Sequence, residues 1–158
     1  PKKNVIIMNV EAASSHQEIT ELASALVNEI RVFYHQAEEL PMRFMSAHTQ
    51  TRNDEVTLYV RVFSSKFGQS RFTRALGVDV LKRSGRVLVI SSIEFSPALM
   101  GRGLLKALIL ETVAKIEDLD IIEFENVLNE KLVLDLRRLG YIYRDESTPF
   151  GSLFKVVR

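Results

Sequence analysis

The sequence predicts an α/β fold in which a mixed sheet of about six or seven strands is flanked by helices. Short runs rich in β-branched residues alternate with longer segments whose apolar residues recur every three or four positions. A strand–helix–strand unit between residues 86 and 124 implies two parallel strands with a right-handed crossover, whereas closely connected strands elsewhere imply antiparallel hairpins. The 158 residues contain no repeat or linker, which predicts a single domain over residues 1–158.

The first half of the chain predicts strands around one long helix. Residues 4–10 (NVIIMNV) predict a first strand, and the apolar spacing over residues 15–36 predicts an amphipathic helix. Residues 42–48 and 56–63 predict a hairpin around the turn-rich segment 51–54. Residues 72–81 predict another strand, with Gly77 as a bulge.

The second half predicts a strand–helix repeat. Residues 86–95 (RVLVISSIEF) form a strand whose nearly unbroken apolar start indicates a central position in the sheet. A helix over 104–116 and a strand over 121–124 follow. Residues 129–139 predict a second helix with Gly140 at its C′ position, and residues 141–143 and 152–157 predict two final strands.

Composition excludes several classes of function. The chain has no cysteine, which excludes disulfides, thiolate catalysis and cysteine-ligated zinc. His16, His35 and His48 show no metal-ligand spacing, so no metal is predicted. A net charge of +1 gives no overall drive toward nucleic acid or anionic membrane. No stretch reaches the roughly 20 apolar residues of a membrane helix, and we expect a cytoplasmic protein.

The segment after the central strand predicts an anion site. A strand ending at Phe95 leads into a turn that contains Gly101 and Gly103, and a helix follows at once. The start of a helix exposes unpaired backbone N–H groups and the positive end of the helix dipole, and glycines let a phosphate approach the backbone. Residues 101–105 could therefore bind an anion, with Arg102 adding charge. The alternative is that the two glycines serve only the backbone geometry of an ordinary turn.

Two stretches resemble the GNAT superfamily of N-acetyltransferases, whose members move an acyl group from acyl-CoA to an amine. FSP at 95–97 leading into GRGL at 101–104 resembles the family's strand, phosphate-binding turn and donor-binding helix. NEKLVLDLRRLGY at 129–141 resembles a second family motif in its asparagine, its basic pair and its glycine–aromatic ending. The resemblance implies a GNAT-like fold, acetyl-CoA as co-substrate and no metal. It covers residues 86–157.

The resemblance also implies which residues contact the donor. They belong to the end of the strand, the turn and the two helix starts: Phe95, Ser96, Met100, Gly101, Arg102, Gly103, Leu104, Leu105 and Asn129. Backbone N–H groups of Phe95 or Ser96 would polarise the thioester carbonyl. Asn129 suits either the pantetheine arm or the N-cap of its own helix.

The chain departs from the family pattern at three positions. Met100 and Leu105 replace the usual polar and small residues of the phosphate-binding turn, and Leu136 stands where many members have a tyrosine acid. Backbone N–H groups make the main pyrophosphate contacts, so Met100 need not abolish binding. Leucine cannot donate a proton, so an acid must come from elsewhere.

Several ionisable residues are candidates for the chemistry. Glu94, just before the turn, is the candidate base that deprotonates the incoming ammonium. Tyr141 is the candidate acid, with Tyr143 on the same strand face; core packing is the alternative for both. Glu123 and Glu125 share a face and would either bind a cationic substrate or be solvated.

Three functions follow as hypotheses. The first is an N-acyltransferase that moves an acetyl group from acetyl-CoA to an amine of a small molecule or protein. The second is a catalytically inactive GNAT-fold interaction module. The third uses the basic, aromatic stretch at 66–86 to bind nucleic acid, which the balanced net charge disfavours. A homodimer through the edge strands is expected, and a membrane partner is not.

Overall fold

One mixed seven-stranded sheet organises the protein in the computed structural model, which describes residues 5–8, 16–39, 44–51, 55–63, 72, 86–145 and 151–157. Its strands are β1 (Val5–Met8), β2 (Phe44–Thr51), β3 (Val56–Phe63), β4 (Arg86–Phe95), β5 (Leu119–Phe124), β6 (Ile142–Tyr143) and β7 (Leu153–Val156). The helices described are α1 (His16–Glu39), α2 (Leu104–Lys115) and α3 (Glu130–Arg138), with a 3₁₀ turn at Pro97–Leu99.

The strands lie in the order β1-β2-β3-β4-β5-β7-β6, which places β4 at the centre as its apolar start predicts. β2, β3 and β4 pair antiparallel in turn, whereas β4 and β5 pair parallel and are joined through α2. The predicted α/β fold with a mixed sheet is therefore confirmed. The strand expected over 72–81 and the bulge at Gly77 fall outside the described residues, apart from Phe72.

A bulge that the sequence analysis missed lies in β4. Val60 of β3 pairs with Ile90 and Tyr59 pairs with Ser92, so Ser91 has no partner on β3. An extra residue of this kind bends the strand and increases its twist. It also resets the alternation of faces, so Ile93 packs on the same core as Ile90.

The long helix α1 is amphipathic and packs on the sheet. The apolar residues that recur along it are all buried, namely Ile19, Leu22, Leu26, Ile30 and Phe33. Their spacing of three or four residues aligns them along one side of the helix, while charged residues cover the other side. None of the helices in the part of the chain that the structure describes is both long and apolar enough to cross a membrane.

The main core brings all three of these helices together on the sheet. Buried residues of α1 and α3 join apolar side chains of β3, β4 and β5 in one cluster, against which Leu105 and Ile109 of α2 also pack. A smaller cluster around Phe72 holds Val87, Val89, Ile121 and Phe154. Because Val87 and Leu88 point to opposite faces of β4, both faces of the sheet are buried at its centre.

The end of α3 shows why the chain turns at Gly140. The Gly140 N–H donates to the carbonyl of Arg137 at 3.1 Å, and the Tyr141 N–H donates to that of Leu136 at 3.0 Å. This is the Schellman arrangement, which needs a left-handed residue at C′. Gly140 has φ +90° and meets that requirement without strain, so its predicted C′ position is confirmed.

Candidate functional site

The two central parallel strands separate part-way along their length. β4 pairs with β5 from Arg86–Leu119 to Ile90–Phe124, and β4 then continues alone on that side to Phe95. The last backbone bond between the two segments runs from the Glu125 N–H to the Ile90 carbonyl, at 3.0 Å. Beyond it the sheet opens.

A cavity of about 610 Å³ lies at this opening. It is lined by the end of β4, the 3₁₀ turn, the start of α2 and one side of α3. Eight residues singled out from the sequence line it: Glu94, Phe95, Met100, Gly101, Gly103, Leu104, Leu105 and Asn129. Its volume falls in the range of ordinary ligand sites, about 300–1,000 Å³.

The start of α2 is accessible from this cavity. Gly103 is the N-cap with φ +79°, and no side chain caps the helix. A Cβ built on Gly101 or Gly103 would meet no atom within 4 Å, so the space beside both glycines is open. Met100 is 51% exposed, and Leu105 packs partly buried against the main core. The opening amides of α2 have no acceptor within the helix, so an anion can reach them.

The start of α3 lies at the same cavity. The Asn129 side-chain oxygen Oδ1 accepts a hydrogen bond from the Leu132 N–H at 3.1 Å, which makes Asn129 the N-cap of α3. This uses the oxygen of the amide and leaves the Nδ2 donor for a second contact. Both roles considered for Asn129 are therefore compatible with its position.

The backbone of β4 presents Phe95 to the opening, but not Ser96. The Ser96 N–H donates to the Glu55 carbonyl at 2.7 Å, so it is not available to polarise a thioester. This bond brackets the facing pair Val56–Phe95 and makes it a non-hydrogen-bonded pair. The N–H and carbonyl of Phe95 therefore point away from β3, toward the side where β5 has departed. The same alternation directs Ile93 to that side.

Charged side chains around the cavity leave an excess of positive charge. Lys106 and Lys131 line it from the first turns of α2 and α3. Asp135 and Arg138 also line it and lie 3.7 Å apart as an ion pair. Glu94 at the end of β4 contributes the remaining carboxylate. A cation in the first turn of a helix is unfavourable because it lies at the positive end of the helix dipole. Both α2 and α3 carry such a cation beside the same cavity.

The two predicted catalytic residues have different surroundings. Glu94 is exposed and lines the cavity. Tyr141 is 1% exposed and packs edge-on against Phe124, with ring centroids 5.4 Å apart. Burial raises the pKa of its phenol above the ordinary value, and its hydroxyl makes no hydrogen bond in the described part of the chain. Tyr141, Ser96 and Arg102 are not among the cavity residues.

The carboxylates of Glu123 and Glu125 are both engaged with arginines. Glu123 is completely buried, with Arg144 Nη1 3.3 Å from its Oε2, and Glu125 forms an ion pair with Arg61. The interpretation of both as solvated residues is therefore wrong for Glu123, whereas the Glu125 side chain is 19% exposed. Since each already has a cationic partner, neither is a simple binding site for a cationic substrate.

Most of the basic stretch at 66–86 lies outside the described residues. Arg86, at its end, is 6% exposed and bonds to Asp118 and to the Tyr34 carbonyl, at 3.2 Å each. It therefore belongs to the core and not to a solvated basic surface. Where the structure describes the chain, no group of three or more histidine, cysteine, aspartate or glutamate side chains could hold a metal ion.

The sequence analysis missed the contribution of one side of α3. Besides Ile93, Leu99 and Lys106, the cavity residues not singled out earlier are Lys131, Leu132, Asp135, Arg138 and Leu139. The other four residues of this α3 set each lie three or four positions from Asp135, so the set shares one side of the helix. That periodicity was visible in the sequence, but it could not show that this side faces the glycine turn.

Comparison with known proteins gives a partial structural likeness. No family model and no curated protein matches the chain. Among the solved structures that it resembles is Arabidopsis thaliana NAA60 in complex with acetyl-CoA, at 17% sequence identity and a TM-score of 0.45. The likeness covers 63% of this chain and 62% of that one, so this chain spans less than two thirds of that relative.

Proposed function

We propose that the protein is an N-acyltransferase that uses an acyl-CoA, with acetyl-CoA as the simplest donor. The observation that carries the proposal is the cavity of about 610 Å³ where β4 and β5 diverge. The start of α2, which no side chain caps, lines this cavity. The cavity combines an open strand edge, an accessible helix start and two lysines. The strand edge matches the amide-bearing arm of an acyl-CoA, the helix start matches its diphosphate, and the lysines match its additional negative charge.

The donor's diphosphate would lie at the start of α2. Backbone N–H groups there have no helical acceptor, and the open space beside Gly101 and Gly103 permits close approach. Lys106 and Lys131 would add favourable charge from two sides of the cavity. The pantetheine arm would extend along β4, where Ile93 and Phe95 direct their backbone groups into the opening. The Asn129 Nδ2 group is a further donor for that arm.

The catalytic step would be a direct transfer to an amine. Glu94 would take a proton from the ammonium, and the resulting amine nitrogen would attack the thioester carbonyl carbon. The Phe95 N–H would donate to the carbonyl oxygen as negative charge develops there. A C–N bond forms and the C–S bond breaks. The nitrogen gives its remaining surplus proton to water, and the CoA thiolate leaves and takes a proton from water. This route needs no contribution from Tyr141.

Thermal unfolding with added acetyl-CoA tests the donor site. A ligand at 100 times its Kd stabilises a protein by about 2.7 kcal/mol, so the midpoint should rise with donor concentration. Lys131→Gln should reduce the shift, whereas Arg31→Gln, which removes an exposed charge on α1, should leave it unchanged. No rise in the wild type at millimolar acetyl-CoA would refute the proposal.

The buried Leu136 favours a second candidate, an inactive module that binds acyl-CoA or a partner without turnover. Leu136 is completely buried at the position where the family resemblance implies a tyrosine acid, and Tyr141 is buried as well. A thiol-release assay with acetyl-CoA and a panel of amines separates the two candidates. Donor binding without thiol release above the hydrolysis background, for any small amine or peptide amine, would favour the module.

A further inference from the structure

Three side chains from neighbouring segments close a ring of contacts where β4 and β5 separate. Arg61 Nε of β3 donates to Ser91 Oγ of β4 at 3.1 Å, and Ser91 Oγ donates to Glu125 Oε2 at 2.7 Å. Arg61 Nη2 donates to Glu125 Oε1 and completes the ring. We call Arg61, Ser91 and Glu125 the apex triad, since they lie at the closed end of the opening.

Both strands change direction next to the apex triad. Ser91 is the bulged residue of β4, and a bulge bends its strand. Glu125 supplies the last backbone bond to β4 through its N–H, and Asn126 follows with φ +51°. Asparagine tolerates this left-handed conformation, which turns the chain away from β4. The triad therefore ties together the two points at which the strands diverge.

The surroundings of the triad make its members depend on one another. The side chains of Arg61 and Glu125 are 23% and 19% exposed, so both charges are largely shielded from water. A shielded charge is destabilised when its partner is removed. Ser91 accepts from Arg61 and donates to Glu125, so its hydroxyl links the two charged groups at the bulge.

We propose that the apex triad positions β4 against β5 and so sets the width of the opening. Its members do not line the cavity, so they would act through the backbone of β4 and not by touching the donor. A change in the bulge would move Phe95 relative to the start of α2. The consequence for donor binding rests on the acyl-CoA proposal, whereas the effect on the strands does not.

Ser91→Ala is the least disruptive test, because it removes the hydroxyl and little volume. Ser91→Thr keeps the hydroxyl and should restore the wild-type behaviour. Lys115→Met is the control for general destabilisation. Lys115 Nζ bonds to Ser24 Oγ at 2.6 Å and Asn28 Oδ1 at 3.0 Å, and it lies at the opposite end of α2 from the cavity.

Amide hydrogen exchange and calorimetric titration with acetyl-CoA provide the readouts. Each protein is measured the same number of degrees below its own thermal unfolding midpoint, so that differences in overall stability do not enter the comparison. In Ser91→Ala, exchange of the Glu125 amide should quicken by about tenfold or more as the last interstrand bond opens more often. The Kd for acetyl-CoA should rise by about tenfold, since small misplacements weaken a preorganised site. Lys115→Met should change neither.

Each other outcome contradicts a stated part of the proposal. Glu125 exchange in Ser91→Ala that matches Lys115→Met would overturn the triad's hold on the strands. Faster exchange with an unchanged Kd would show that the triad only stabilises the sheet. If the wild type binds no acetyl-CoA, the acyltransferase proposal fails, and the exchange comparison still decides whether the triad holds the strands.

Discussion

Two substitutions of Asn129 should separate helix capping from donor binding. Asn129→Ala removes the bond from Oδ1 to the Leu132 N–H, which is 3.1 Å long and caps α3. Asn129→Asp keeps a capping oxygen and adds a negative charge beside the cavity. Aspartate caps helices as well as asparagine does, and its charge favours the helix dipole. The alanine variant should therefore lose stability, while the aspartate variant should keep it.

The expected magnitudes follow from these contacts. Loss of an N-cap costs about 1 kcal/mol, which lowers the unfolding midpoint of a chain of this size by about 2–4 °C. At an assumed separation of ~8 Å from one donor phosphate, the introduced charge costs about 0.5 kcal/mol in water and about 2 kcal/mol at an effective dielectric constant of 20. Asn129→Asp should thus weaken acetyl-CoA binding by about 2- to 30-fold, and salt should reduce the effect.

Calorimetric titration and thermal unfolding of both variants test this pair of expectations. If acetyl-CoA binds Asn129→Asp as tightly as the wild type at low salt, the donor's phosphates do not lie close enough to Asn129 to sense its charge, and the proposed placement of the diphosphate at the start of α2 in the same cavity is wrong. An equal loss of affinity in both variants would mean that helix order, and not charge, decides binding.

Three further outcomes are expected. Tyr141→Phe should raise the free energy of unfolding at pH 7 by about 1 kcal/mol, because the hydroxyl is buried and has no partner among the residues that the structure describes. Burial raises the Tyr141 pKa, so the wild type should also lose stability as the pH rises above about 10, the pKa of tyrosine in the unfolded chain. The phenylalanine variant should lose less stability over the same pH range. A large loss of turnover in a folded Tyr141→Phe variant would instead support Tyr141 as the acid. Gly140→Ala should destabilise the protein by about 1–2 kcal/mol in denaturant unfolding, because the backbone at this position is left-handed. Gly140→Asn should destabilise it by less, and equal losses of stability in the two variants would contradict this explanation. Glu94→Gln should lower amine transfer by about 100-fold or more without changing the Kd for acetyl-CoA, and unchanged transfer would remove Glu94 as the base.

Local sequence signals were sufficient for most of the fold. The spacing of Ile19, Leu22 and Leu26 predicts α1 because one helix side must be buried. Gly140 predicts the end of α3 because few other residues adopt its conformation. The bulge at Ser91 was not predictable in this way, since the pair Ser91–Ser92 gives no signal that distinguishes a bulge from an ordinary partly exposed strand.

The site was predictable where one short segment forms it. The glycine turn and the end of β4 lie within residues 93–105, and most of the residues named there line the cavity. Lys131 and Arg138 were missed because their place depends on how α3 packs across the sheet. The availability of the Ser96 N–H was also misjudged, because only the register with β3 shows that Glu55 accepts it.

The exposed edge of β4 at the opening also sets the spacing of polar groups that a molecule needs in order to pair with it. Ile93 and Phe95 are two positions apart on one extended strand, so equivalent backbone groups recur every ~6.8 Å along that rim. A matching partner must carry polar groups at about this repeat, whatever its terminal group is. Under the proposed donor placement, an analogue whose two amides are separated by one carbon more or fewer should therefore pair less well with β4.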